Sequence, residues 1–415
     1  MSHHKKWLSP RIQLLQEEFA RGGDSAVEAF WQELHMRGTP LFEPVEDAPN
    51  EVLVTFVWQG DTNTSNVVLF SSLSTYMDGF SFEKQQMLHL DGTNVWYKTY
   101  RVPKSMYASY QFSPNDPLRD PQEVADWVER FKNLRPDPLN PHQMIFPQDE
   151  EILDSYSGVC SVIQHKDTEL PYLPFERGNI QTGKVACYRF RSQLLHNERR
   201  IWIYTPPGYD SARAQAYGLL LLLDGFSYIH TISPPSLLDA LLAAQHTPPV
   251  VTIYVDTLGE TTRSKELPCY SPFVDFLTTE LIPWMRERFH VTHDPQRTII
   301  SGSSYGGLAA TFAGLRASNI FGNVLAQSGS FCWKPDDEEE DGWIIRQFEQ
   351  VPRLPLRFSL QAGLWEPMLP AVRQMHTTLR TKGYPVSYHE YHGGHDDFAW
   401  HALFPLAFQE LVQDW

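Results

Sequence analysis

Cysteine is scarce in this chain. There are four in 415 residues (Cys160, Cys187, Cys269 and Cys332), widely separated and without a Cys-x-x-Cys pair. A disulfide scaffold and a structural zinc site are therefore not expected, and the four read as free thiols of a reducing compartment. No apolar run approaches the length of a membrane span. The opening residues, Met1 to Trp7, lead into Leu8-Ser-Pro-Arg11 rather than an apolar segment with a cleavage site, so no secretory signal is expected. Basic residues are outnumbered, 34 Lys and Arg against 50 Asp and Glu, for a net charge of −16. That balance argues against general nucleic-acid binding. The expected setting is a reducing compartment, with no metal site.

At this length two domains are expected. Apolar residues at helical spacing (Ile12, Leu15, Phe19, then Val27, Phe30, Trp31, Leu34) predict two short helices split at Gly22-Gly23. From 50 to 113 the period shortens. Val52–Trp58, Asn66–Phe70, Val95–Val102 and Ala108–Phe112 are strand-like and bounded by Gly, Asp, Asn and Pro. Four such strands predict a small β-sandwich, with Trp58, Trp96, Tyr97, Tyr100 and Tyr110 as its aromatic core. Residues 133–176 are rich in Pro, Asp, Asn and Gln, which reads as a linker. Beyond it, strand and helix patterns alternate to the end of the chain. That alternation predicts a doubly wound, mostly parallel α/β sheet. The domains are expected at 1–150 and 176–415, with a linker over 151–175.

One segment carries chemistry. Thr298-Ile-Ile-Ser301 is a β-branched strand, Gly302-Ser-Ser-Tyr-Gly306 is a G-x-S-x-G turn, and a helix rich in small residues follows. In that context the motif is a nucleophile elbow, which lifts Ser304 Oγ above a sheet and points the Tyr305 N–H at a developing oxyanion. Ser303 offers a second hydroxyl, but the elbow geometry favours the central one. An α/β hydrolase orders its triad as Ser, acid, His. Glu366 is the only carboxylate in the loop after the strand Leu356–Ala362, and His395 sits just past the last strand on the turn Gly393-Gly-His395. Histidine suits a general base because its ordinary pKa lies near working pH. Asp396 and Asp397 rank below Glu366, since neighbouring side chains on a loop usually diverge. A second oxyanion donor is expected from Gly225 or Phe226. They follow the apolar run Gly218–Leu223 and Asp224, and the glycine would let the backbone approach a substrate carbonyl.

With these residues identified, the chain resembles the enterochelin (ferric enterobactin) esterases along nearly its whole length. The resemblance rests on Asp224-Gly225, Arg263-Ser-Lys-Glu-Leu-Pro-Cys269, Gly302–Gly307, Gln327-Ser-Gly-Ser330, Ala362–Met368 and Gly393–Asp396. In the N-terminal part it rests on Val95–Pro103 and Tyr110–Pro114. It implies the α/β-hydrolase fold behind an N-terminal β-domain. It also implies a cytoplasmic esterase that cuts a catecholate siderophore with no cofactor, the iron arriving as part of the substrate. By that resemblance Ser304 is the nucleophile, His395 the base and Glu366 the orienting acid. Arg263 is expected to bind anionic catecholates or to brace the site through Glu266, and Trp333 either stacks on a catechol or packs in the core. The acidic run Asp336–Asp341 reads as a solvated loop. Alternative readings are a carbohydrate or feruloyl esterase and a non-catalytic siderophore-binding protein. Oligomeric state and the particular catecholate stay open.

Overall fold

Residues 7–119, 124–152, 155, 157–165 and 180–415 are described by the computed structural model. They group into two compact units. The first takes those within Met1–Gln148, Tyr156–Glu169 and His392–Phe398, and the second those within Asp149–Ser155, Leu170–Tyr391 and Ala399–Trp415.

In the first unit Ser9 caps α1 (Pro10–Gly22), its hydroxyl accepting the Ile12 N–H, and Pro10 stands where no N–H is needed. Gly23 at φ +57° turns the chain into α2 (Asp24–Arg37), so the split falls where the two glycines predict it. Two sheets follow. β1 (Leu41–Pro44), β2 (Glu51–Gln59), β4 (Leu88–His89) and β5 (Val95–Pro103) form an antiparallel sheet in the order β1-β2-β5-β4. In the other, β6 (Met106–Pro114) pairs with β3 (Val67–Ser71) and β8 (Gly158–Ile163), and β8 with β7 (Gln143–Phe146). Short helices α3 (Ser72–Asp78), α4 (Phe82–Gln85) and α5 (Val124–Asn133) complete the unit.

Strand alternation gives β2 two working faces. Val57 packs with Phe30, Trp31 and Leu34 of α2. On the opposite face Phe56 meets Tyr110 of β6 edge-on at 4.7 Å, and Trp58 lies 5.2 Å from Phe112. These rings lie between the sheets as the sandwich requires, but Tyr97, expected with them, faces the other way and packs with Val57 against α1 and α2, because strand alternation puts it on that face. The linker expected over 151–175 holds a strand, β8. Its Val162 and Ile163 are buried, and that burial against β6 outweighs the polar composition around it. Residues 166–175 lie outside the described ones.

The second unit is a doubly wound sheet. Its strands are β9 (Lys184–Ser192), β10 (Asn197–Thr205), β11 (Gly218–Leu222), β12 (Val250–Val255), β13 (Thr298–Ser303), β14 (Asn323–Gln327), β15 (Arg357–Gly363) and β16 (Val386–Gly393). The spatial order is β16-β15-β14-β13-β11-β12-β10-β9, parallel from β16 to β12 and antiparallel at β10 and β9. The leucine run of β11 serves both faces. Leu219 and Leu221 enter one core and Leu220 and Leu222 the other, as a strand buried on both sides requires.

Connecting helices are α6 (Gly225–Ser227), α7 (Pro235–Ala243), α8 (Glu260–Glu266), α9 (Ser271–Asp275), α10 (Ile282–Arg288), α11 (Tyr305–Arg316), α12 (Trp343–Gln350), α13 (Leu369–Thr381) and α14 (Asp397–Val412). The helix expected near 271–288 is divided by a π-turn over Phe276–Leu281. Pro283, at the start of α10, has no N–H to continue the α ladder. Among the described residues no helix is long and apolar enough to cross a membrane.

Candidate active site

The C-terminal ends of parallel strands are where an open α/β sheet places ligands. At the end of β13, Ser304 adopts φ +56°, ψ −121° and opens α11. A non-glycine residue in that region is strained by ~1–3 kcal/mol. Its N–H donates to the Gln327 carbonyl at 2.9 Å, and its own carbonyl accepts from Leu308 (3.1 Å) and Ser330 (3.1 Å), so the turn is held on three sides. The glycine at 302 is sterically required, and the one at 306 leaves little room for a side chain. A Cβ at Gly302 would lie 2.5 Å from the Gly306 carbonyl carbon, and one at Gly306 would lie 3.0 Å from Asp224 Oδ2. Ser303 is buried within the strand, whereas Ser304 is half-buried. The first N–H groups of α11, from Tyr305 on, have no partner inside the helix and carry the positive end of its dipole.

Beside this elbow the chain leaves β11 through Asp224, itself left-handed at φ +54°, into Gly225 and Phe226. Gly225 is required for a packing reason as well. Its missing side chain makes room for the backbone of β12, since a Cβ would lie 2.7 Å from Val255 N. The Phe226 ring rests against His230 (4.6 Å) and the Arg200 guanidinium (5.4 Å). Burial and that guanidinium hold the His230 imidazole below its ordinary range.

Arg263 does not brace the site through Glu266. Its Nε and Nη2 grip Asp224 at 2.7 and 2.9 Å, and its guanidinium stands 5.6 Å from the Tyr305 ring centre. Glu266 is engaged by Arg199 (2.8 Å) and Asn197 (2.9 Å). Three residues apart on a short helix, Arg263 and Glu266 serve different partners.

The loop after β14 supplies residues that motif reading had not given a role. Ser330 is buried, and its Oγ lies 3.4 Å from Ser304 Oγ, looser than a formed O–H···O bond. Beneath them Gln327 donates to Gln361 Oε1 (2.8 Å) and to the Trp400 carbonyl (2.9 Å), and accepts from the Tyr228 hydroxyl at 3.2 Å. Ser328, left-handed at φ +49°, accepts from the Trp400 indole at 2.9 Å. Trp333 is half-buried and meets Trp343 edge-on at 6.2 Å, a packing contact.

Glu366 lies in the tight turn between β15 and α13, its N–H on the Gly363 carbonyl at 3.4 Å, and is 6% exposed. His395 occupies the bend between β16 and α14 and is half-buried. The neighbouring Asp396 is occupied: Ser109 donates to Oδ2 from both its N–H (2.8 Å) and its hydroxyl (3.0 Å), and Phe398 N–H donates to Oδ1 at 2.9 Å. The acidic run is folded by its own cations. Lys334 reaches the Glu339 carbonyl (2.5 Å), and Arg346 reaches Glu338 (2.9 Å) and the carbonyls of Glu340 and Asp341. Among the described residues no cluster of His, Cys, Asp or Glu is arranged to hold a metal ion.

The Esterase family pattern matches residues 192–411, and that of the enterochelin esterase N-terminal domain matches residues 53–159. The chain is 31% identical over 406 residues to the iron(III) enterobactin esterase of Dickeya dadantii, covering 90% of both chains. It is 28% identical over 402 residues to the iron(III) salmochelin esterase of Escherichia coli O6:H1, covering 94% of both. The crystal structure of the ferric enterobactin esterase from Salmonella typhimurium superposes with a TM-score of 0.79 at 26% identity, over 93% of this chain and 98% of that one.

Proposed function

The chain belongs to the enterochelin (iron(III) enterobactin) esterase family, and from that premise we propose that it hydrolyses the backbone esters of a ferric catecholate siderophore with Ser304 as nucleophile. The observation that carries the reading is the strained Ser304, raised at the head of a helix between Gly302, where no side chain fits, and the closely packed Gly306. In this reading His395 takes the Ser304 proton as the hydroxyl attacks the ester carbonyl, then returns it to the departing alkoxide. Glu366 holds the imidazole in one tautomer. The oxyanion is received by the N–H of Tyr305 and that of Gly225 or Phe226, a pre-oriented pair that needs no reorganisation during the reaction. Water then attacks the acyl-serine, with His395 as base again.

Three catechols on one trilactone bind iron as a tethered set. Each cut lowers the effective concentration of the next catechol at the metal, which loosens the iron. Iron is cargo here, and no resident cofactor is invoked. Arg263 is already paired, so its proposed part is to steady the Asp224 turn. Trp333 remains the ring proposed to stack on a catechol. The four free cysteines fit a reducing cytoplasm.

The test is product analysis by liquid chromatography and mass spectrometry. Wild type and Ser304→Ala are each given ferric enterobactin and, separately, a feruloylated sugar. Linear dihydroxybenzoylserine fragments from wild type alone are expected. Ferulate release with an untouched siderophore would overturn the substrate assignment, and equal turnover by both proteins would overturn the nucleophile.

A further inference from the structure

The segment His392–Phe398 belongs to the same compact unit as β6 and α3. Three sets of contacts hold it there. Its first residues extend β6 in parallel register, His392 opposite Met106 and Gly393 opposite Tyr107. Gly394 is packed on the first residue of α3 so closely that a Cβ would collide with Ser72 Cβ and lie 3.0 Å from Ser72 Oγ. Asp396, 7% exposed, receives both the N–H and the hydroxyl of Ser109 on one oxygen. Ser109 is itself fixed, its carbonyl accepting from Ser71 Oγ at 2.7 Å and its backbone in register with Val162 of β8. His395 lies between Gly394 and Asp396, so both of its neighbours in the chain are pinned by β6 and α3.

We propose that Ser109 and Ser72 are positioning residues for the hydrolysis: the N-terminal unit fixes the backbone that carries His395, Ser109 through Asp396 and Ser72 through Gly394. The inference rests on His395 being the general base. The physical reason is the sensitivity of proton transfer to placement. A base must stand within hydrogen-bond reach of the proton it takes, and a misplacement of about 1 Å costs on the order of 100-fold in rate. A loop with two glycines before the histidine has little stiffness of its own. The charged Asp396 and the close Ser72–Gly394 approach supply it.

The experiment measures kcat and KM on a small chromogenic ester and on ferric enterobactin, with the full chain and a melting midpoint for each variant. Ser109→Ala removes one of two donors and is expected to lower kcat about tenfold with KM nearly unchanged. Gly394→Ala is expected to lower kcat about 100-fold. Adding Ser72→Gly to Gly394→Ala removes the atoms that collide and is expected to restore most of that loss, a coupling between neighbours that a general destabilisation would not produce. His395→Ala separates the two levels of the argument. If it is inactive while Ser109→Ala and Gly394→Ala turn over like wild type, the positioning role is overturned and the base assignment stands. If His395→Ala keeps wild-type kcat, the base assignment falls and the positioning role with it. Loss in Gly394→Ala that Ser72→Gly does not restore overturns the part given to Ser72.

Discussion

Arg263 holds Asp224 by both carboxylate oxygens, at 2.7 and 2.9 Å, and the same carboxylate closes against Gly306 two residues after Ser304. The ion pair thus fixes the turn after β11 at the point where it packs against the elbow after β13. Asp224 is 7% exposed and sits in a left-handed conformation that a non-glycine residue adopts only when held.

Arg263→Ala is expected to leave that carboxylate buried without its fork and to lower kcat by roughly 10- to 100-fold, because the oxyanion donors lose their fixed place. Arg263→Lys should recover only part, since an ammonium cannot span both oxygens. Steady-state kinetics on a small ester checks both. A lysine variant equal to wild type would show that charge alone suffices.

Gly306→Ala is expected to disturb the same contact from the other side, with its Cβ 3.0 Å from Asp224 Oδ2. Labelling by a fluorophosphonate reports the reactivity of Ser304 directly. The expected result is labelling slowed by at least about tenfold while the melting midpoint changes little. Normal labelling would mean that the turn absorbs the added methyl.

Glu366→Gln is expected to cost less activity than Ser304→Ala, because an acid that only orients the base is the most dispensable member of a triad. The comparison is kcat/KM on one substrate. Equal losses would count against an orienting role.

Gln327→Leu is expected to destabilise the fold by about 2–4 kcal/mol. It removes the donors to Gln361 and the Trp400 carbonyl and the Gln327 oxygen that accepts from the buried Tyr228 hydroxyl at 3.2 Å. Urea unfolding measures this. A change below about 0.5 kcal/mol would show that the network is not fully formed.

His389 offers a pH test outside the site. Its Nε2 meets Glu410 at 2.6 Å, and that hydrogen bond raises the imidazole above its ordinary value. A raised folded value means stability fully present below about pH 6.5 and lost as pH rises through the folded value. Wild type should therefore exceed His389→Gln in unfolding free energy by more at about pH 5.5 than at about pH 9. A gap that is constant with pH would contradict the pairing.

Periodicity and motif order were enough to read the α/β alternation, the paired β-domain, and Ser304, Glu366 and His395 as a triad candidate. Such features are local: strand alternation, glycines around a turn, and a chain order shared by one class of fold. What local pattern could not supply were relationships across the chain. The pairing of Arg263 with Asp224, 39 positions away, instead of Glu266, three positions away, depends on where α8 comes to rest beside β11, and sequence distance favours the wrong partner. The role of Gly225 depended on the neighbouring backbone of β12. Strand β8 was hidden in polar surroundings because its stability comes from pairing with β6. The grip of Ser109 on Asp396 joins residues 287 positions apart, and no spacing rule reaches that far. The candidate chemistry of this protein was therefore legible locally, while tertiary packing decided which side chains meet around it, because a hydrogen bond or an ion pair is set by distance in space and not along the chain.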